Sequence, residues 1–100
     1  MDTQKVLRHM VLFRFKEETS QDQIAVVGKA FLALADQINV IQDVEWGQVI
    51  NEPAPYTHCL LVTLPTEADL QVYDKHPAHA GIGERDGHLV QEVLVLDFWT

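Results

Sequence analysis

The order in which this chain changes its apolar periodicity restricts its fold more than any other feature. Four segments carry the alternation and the β-branched and aromatic residues that are typical of strands: residues 6–16, 43–51, 56–64 and 89–99. A long helical pattern follows the first of them, and a short one follows the third. The order is therefore strand, helix, strand, strand, helix, strand.

The first helix has the clearest signal. Ser20 and Gln23 form the pattern of a capping box, and the helix is predicted to end near Asn39. Its larger apolar residues recur at alternating intervals of three and four and form one stripe: Ile24, Val27, Phe31, Leu34 and Ile38.

The second helix has a weaker signal. Thr66 with Asp69 predicts its start, and it is expected to run through about Tyr73. A glycine-rich polar stretch follows through Gly87, and its residues 84–88 are predicted to form a solvated loop.

This order predicts an α+β fold of the ferredoxin-like β-α-β-β-α-β type, with an antiparallel four-stranded sheet and two helices on one face. The sequence contains no repeat, linker or low-complexity tract, so residues 1–100 are expected to form one domain.

Both faces of the strands are substantially apolar, which predicts a dimer. The first strand carries Leu7, Val11 and Phe13 on one face and Val6, Met10 and Leu12 on the other. Two helices can cover only one face, and the other would expose a larger apolar patch than soluble monomers usually carry. A two-fold homodimer with sheets back to back is the simplest solution. The alternative is a monomer with a ligand or another partner on that face.

Charge and composition restrict the partners. The net charge of −8 disfavours binding to nucleic acid, and no apolar run is long enough to cross a membrane. Cys59 is the only cysteine, so an internal disulfide is excluded. The first five residues do not resemble a secretory signal, and a cytoplasmic location is expected.

Five motifs resemble those of the stress-responsive A/B barrel (Dabb) family, and each falls on the expected element. They are Arg8–Lys16 in the opening strand, Val44–Gly47 with its Trp-Gly pair, Tyr56–His58, Tyr73 with His76–His79, and Val95–Phe98 in the closing strand. The resemblance covers nearly the whole chain and implies a dimeric α/β barrel.

The resemblance also implies a chemistry. One type of family member is a polyketide cyclase, which performs a cofactor-free aldol condensation of a poly-β-ketone. Its catalytic histidine corresponds to His79, its assisting tyrosine to Tyr73, and its pocket histidines to His9 and His58. Such cyclases tend to carry bulky aromatic residues where residues 84–88 supply glycine and charge, which argues against an aromatic polyketide substrate.

The residues themselves allow a functional and a structural interpretation. A neutral His79 can remove a proton that lies between two ketones, and Tyr73 can orient it or donate to an enolate oxygen. Alternatively, the His-Pro turn ends the second helix and Tyr73 packs with its hydroxyl at the rim. His9 and His58 lie on apolar strand faces, either as core residues or as walls of a shared pocket between sheet and helices.

No metal or cofactor is expected. The spacing of the histidines and of Cys59 matches no zinc motif, and Gly81-x-Gly83 is not a dinucleotide loop. Three functions stay open. The first is a cofactor-free aldol-type cyclase, or a related enolising enzyme, acting on a small oxygenated organic molecule. The others are a non-catalytic stress-responsive or ligand-binding oligomer and a cofactor-independent monooxygenase.

Overall fold

An antiparallel four-stranded sheet with helices on one face forms the protein in the computed structural model, which describes residues 5–100. The strands are β1 (Leu7–Phe15), β2 (Asp43–Gln48), β3 (His58–Leu64) and β4 (Val90–Trp99), in the spatial order β2-β3-β1-β4. This confirms the predicted ferredoxin-like class. The prediction about a secretory signal concerns a segment whose residues 1–4 lie outside the described part.

Helix α1 (Gln21–Gln37) forms as the sequence predicts. The Ser20 hydroxyl accepts a hydrogen bond from the Gln23 backbone N–H at 3.1 Å, and the Gln23 side chain accepts one from the Ser20 backbone at 2.8 Å. This capping box satisfies two backbone donors that would otherwise lack partners. The apolar stripe of the helix is buried against the sheet: Ile24, Val27, Phe31 and Leu34, with Ile38 at the C-cap.

The segment after α2 (Glu67–Lys75) differs from the prediction of a polar loop, because residues Pro77–Asp86 form a third helix, α3. Pro77 occupies the first turn, where a missing N–H costs nothing, and the His76 side chain accepts a hydrogen bond from the Ala78 backbone at 3.0 Å. Glycines lower helix propensity, which explains why the helix was not predicted. Its packing against α1 supplies the missing stability.

The helices lie on one face of the sheet, and they leave both faces of the edge strand β4 exposed. In the ladder between β1 and β4, Leu12 lies opposite Leu94 and Met10 lies opposite Leu96. Leu94 and Leu96 are exposed in the single chain, and so is Phe98 on the same face. We call this uncovered apolar surface of β1, β3 and β4 the open sheet face. In residues 5–100, no helix is both long and apolar enough to cross a membrane.

Candidate functional site

Three of the four predicted site residues form a continuous row of rings. Tyr73 on α2 and His79 on α3 lie on either side of the turn at His76, with ring centroids 4.7 Å apart. Tyr73 also packs edge-to-face with His9 of β1, with ring centroids 5.7 Å apart and an interplanar angle of 66°. The short α2–α3 connection therefore brings a tyrosine and a histidine from two helices onto a strand histidine.

The backbone fixes the tautomer of His79. Its Nδ1 lies 3.0 Å from the carbonyl oxygen of Asp74, which can only accept a hydrogen bond. Nδ1 of His79 must therefore carry the hydrogen, which leaves the lone pair of a neutral ring on Nε2. The hydrogen bond to Asp74 therefore holds the ring of the partly buried His79 in one orientation, with Nε2 able to accept a proton.

A cavity of about 170 Å³ adjoins His79 between α1, α3 and the sheet. Most of its wall is apolar and includes Phe13, Val27, Phe31, Ile82 and Val90. The titratable side chains in the wall are those of His79 and Asp86. The cavity is large enough for one ring, since an engineered cavity of about 150 Å³ in another protein binds benzene.

The Tyr73 hydroxyl is buried and has no hydrogen-bond partner among the described residues. Tyr73 is fully buried, so its hydroxyl does not lie at a solvent-exposed rim. Burial raises the pKa of Tyr73, with a smaller contribution from the charge of Asp74. The phenol is therefore protonated at neutral pH and retains an unused donor.

His9 has an acidic partner that the sequence analysis did not assign to it. Its Nδ1 lies 2.6 Å from Oδ1 of Asp97, the residue directly opposite it on β4. The alternation of β4 contains the signal that could have found this pair, because it places Asp97 on the same face as Val95. Asp97 thereby fixes the ring of His9 against Tyr73.

His58 lies apart from this row. It pairs with Phe13 across the ladder, whereas His9 pairs with Val62, four residues further along β3 and about 13 Å away. The ring of His58 stacks on Trp46 at 5.5 Å, and its Nδ1 lies 2.8 Å from the Thr57 hydroxyl. Burial lowers the pKa of His58, which favours its neutral form.

His58 and Trp46 instead line a separate recess beside α1. Of the four predicted side chains, only that of His79 lies in the wall of the cavity, and Tyr73 and His9 are not part of that wall. Metal ligands are not clustered either. Residues 5–100 contain no group of three or more histidine, cysteine, aspartate or glutamate side chains placed to hold a metal ion.

Comparison with known proteins gives one family match that covers nearly all of the described residues. Residues 7–100 match the family described as Stress responsive A/B Barrel Domain. Olivetolic acid cyclase from Cannabis sativa is 30% identical over 95 residues, which cover 92% of this chain and 94% of that protein.

Solved structures show the same fold at lower identity. A hydroxynitrile lyase from Passiflora edulis superposes with a TM-score of 0.87 at 19% identity, covering 98% of this chain and 95% of that one. A dimeric ferredoxin-like protein of unknown function from Thermobifida fusca gives a TM-score of 0.81 at 22% identity, with coverages of 94% and 90%. At these identities the likeness concerns the fold alone.

Proposed function

Because the chain belongs to the stress responsive A/B barrel domain family, we propose that it is a dimeric, cofactor-free enzyme acting on a small oxygenated organic molecule. The proposed reaction begins with enolisation of the ligand, and an aldol-type cyclisation can follow from the enolate. One observation carries the proposal: the oriented base His79 in the wall of an apolar cavity. The 30% identity to a protein named as a cyclase supports the same class.

The proposed chemistry begins with proton removal by Nε2 of His79 from a carbon between two carbonyl groups. The electron pair of that C–H bond moves onto one carbonyl oxygen and forms an enolate. In a cyclisation the enolate carbon attacks a second carbonyl carbon of the same molecule, and a C–C bond forms. The resulting alkoxide takes the proton back from the His79 imidazolium, so charge and atoms balance.

Tyr73 is the second group in the proposal. Its protonated hydroxyl has no partner among the described residues, and its ring lies against His79. It donates a hydrogen bond to the enolate oxygen of a ligand that reaches it, or it holds the imidazole in place. His9, fixed by Asp97, supports the other side of the Tyr73 ring.

His58 stays a predicted ligand-binding residue. Its recess is separate from the cavity beside His79, so a role in binding requires a ligand long enough to extend toward Trp46.

The proposed dimer covers the open sheet face. Leu94, Leu96 and Phe98 are between 39% and 48% exposed, and they continue the apolar surface of β1. A stable interface buries about 800 Å² on each partner, which a face of this kind can supply. The similarly folded Thermobifida fusca protein is described as dimeric, so the fold is compatible with a dimer.

The test measures the exchange of hydrogen for deuterium in a short 1,3-diketone dissolved in D₂O, monitored by NMR at neutral pH. We expect wild-type protein to accelerate the exchange and His79→Ala to lower the rate by about 10²- to 10⁴-fold, the usual range for losing a general base. His88→Ala removes an exposed histidine of the same chain and is the matched control.

The melting temperature separates the two main interpretations of His79. An enzyme predicts a large rate loss with little change in melting temperature. If His79→Ala instead leaves the rate unchanged and lowers the melting temperature, His79 is structural. The non-catalytic oligomer then replaces the enzyme as the better hypothesis.

A further inference from the structure

We propose that Asp86 is the second polar contact of the cavity and restricts its ligands to molecules that donate a hydrogen bond and carry no negative charge. This inference rests on the proposed function in one respect: it takes the cavity beside His79 as the ligand site. It adds a substrate class, which neither the family nor the proposed reaction specifies.

Helix geometry places Asp86 at a defined distance from the base. Asp86 is the last residue of α3, seven positions after His79, so both lie on the same face two turns apart. The rise of an α-helix separates their Cα atoms by about 10.5 Å along the axis. Ile82 and Gly83 lie between them in the same wall of the cavity. The wall therefore runs from His79 at one end to Asp86 at the other, and nearly all of its accessible surface is apolar.

The position of Asp86 is unfavourable for stability. Its exposure is only 9%, and aspartate is rarely buried so deeply unless it is paired. It also lies at the C-terminus of a helix, where the dipole disfavours negative charge. Its partner is the neighbouring Arg85, whose side chain is 56% exposed. An apolar residue would extend the surrounding wall at less cost, so folding alone does not explain this carboxylate.

Arg85 occupies only one of the two carboxylate oxygens of Asp86. Both guanidinium hydrogen bonds from Arg85 go to Oδ2, and no described side chain donates to Oδ1. An ionised carboxylate can only accept hydrogen bonds, so it selects a hydroxyl or amine on the ligand. In apolar surroundings such a charge-assisted bond is about twice as strong as a neutral one.

The charge of Asp86 disfavours anions in the cavity, because the guanidinium that pairs with it belongs to the exposed Arg85 side chain and is not part of the cavity wall. A ligand carboxylate or phosphate in this cavity would lie close to Asp86, and the net charge of −8 adds repulsion at longer range. The expected substrate is therefore a single ring or short chain with a hydroxyl or amine at the Asp86 end and an activated carbonyl group near His79.

The experiment uses three probes that differ in one group: 3-methylphenol, 3-methylanisole and 3-methylbenzoate. Binding to the full chain is followed by the NMR shifts of the Gly83 and Gly87 amides, which adjoin the cavity. For wild-type protein we expect the phenol to bind about tenfold more tightly than the anisole, the effect of one charge-assisted hydrogen bond. The benzoate should bind most weakly.

Two variants and one control assign the effect to Asp86. Asp86→Asn should reduce the preference for the phenol several-fold and improve binding of the benzoate. Asp86→Leu should favour the anisole over the phenol. Glu84→Gln removes the same charge from an exposed position of α3 and should reproduce the wild-type pattern.

Several outcomes would overturn the inference. They are equal binding of phenol and benzoate to wild-type protein, no binding of any probe, or a pattern for Asp86→Asn that matches Glu84→Gln. The wild-type comparison decides even if a variant does not fold. Diketone exchange that depends on His79 would leave the proposed function intact in each case. Conversely, an Asp86-dependent probe pattern without exchange would keep this inference and remove the enzyme.

Discussion

Removing the hydroxyl of Tyr73 should separate stability from catalysis. Tyr73→Phe keeps the ring and its packing against His9 and His79, and it removes a buried hydroxyl without a partner among the described residues. An unsatisfied buried polar group costs about 1–3 kcal/mol. We therefore expect the free energy of unfolding to rise by about 1 kcal/mol or more. For a domain of 100 residues that corresponds to a melting temperature roughly 4–8 °C higher per kcal/mol.

The same substitution should slow the proposed reaction. If the phenol donates to the enolate oxygen, its loss should lower the rate of diketone exchange by about 10²-fold, a typical effect of removing one such donor. A protein that becomes more stable and less active is the signature of a polar group retained for chemistry at the expense of folding.

The assay is thermal unfolding followed by circular dichroism, alongside the exchange measurement. Several protein concentrations are needed, because dissociation of the proposed dimer would make the melting temperature depend on concentration. Tyr56→Phe is the matched control: its exposed hydroxyl donates to Glu92 at 2.6 Å, so its loss should leave stability nearly unchanged.

A lower melting temperature for Tyr73→Phe would refute the argument about stability, since it would show that the hydroxyl is satisfied, for example by water. An unchanged exchange rate would remove Tyr73 from the mechanism.

Three further predictions concern the scaffold. Gly28→Ala would place a Cβ against Nε1 of the Trp46 indole and should lower the free energy of unfolding by about 1–3 kcal/mol in chemical denaturation. Gly81→Ala, with open space around it, should raise it by up to about 1 kcal/mol, and equal effects would contradict the packing argument. Burial lowers the pKa of His58, so the unfolded chain binds a proton more readily than the folded one, and stability should fall as the pH drops below the ordinary pKa of 6.5. His58→Gln should flatten that part of a profile of melting temperature against pH, and an unaltered slope would exclude His58 as its source. Leu96→Asp puts a charge in the open sheet face, so light scattering should detect monomers, while Val26→Asp, at an exposed position of α1, should leave the proposed dimer intact. A dimeric Leu96→Asp protein would place the interface elsewhere.

The parts of the fold that follow from the sequence are those in which local and global signals agree. The capping box at Ser20 and the stripe from Ile24 to Ile38 predict α1 at nearly its observed length. The alternating strands predict the sheet and its uncovered face. Helix α3 was predicted as a loop because Gly81 and Gly83 weaken its intrinsic propensity, and contacts with α1 are not visible in a local pattern.

Three of the four predicted site residues lie together in the structure, but their arrangement could not be predicted. Strand alternation places His9 and His58 on the same face, yet the ladder register puts them about 13 Å apart, and periodicity does not fix register. The approach of Tyr73 to His79 depends on the angle between α2 and α3. Asp86 could not be assigned to the cavity wall while its segment was predicted as a loop. The catalytic and binding roles of the four predicted residues stay predictions.

The third helix has a consequence for how a protein of this kind can diversify. Within α3, His79 and its neighbours in the cavity wall occupy residues 79–86, while most of the hydrophobic core belongs to the sheet and α1. Mutations at Gly83 and Asp86, which are not part of the core cluster, can therefore reshape the space offered to a ligand while the strands and their ladder stay as they are. A library restricted to these two codons would vary the cavity on an otherwise unchanged scaffold.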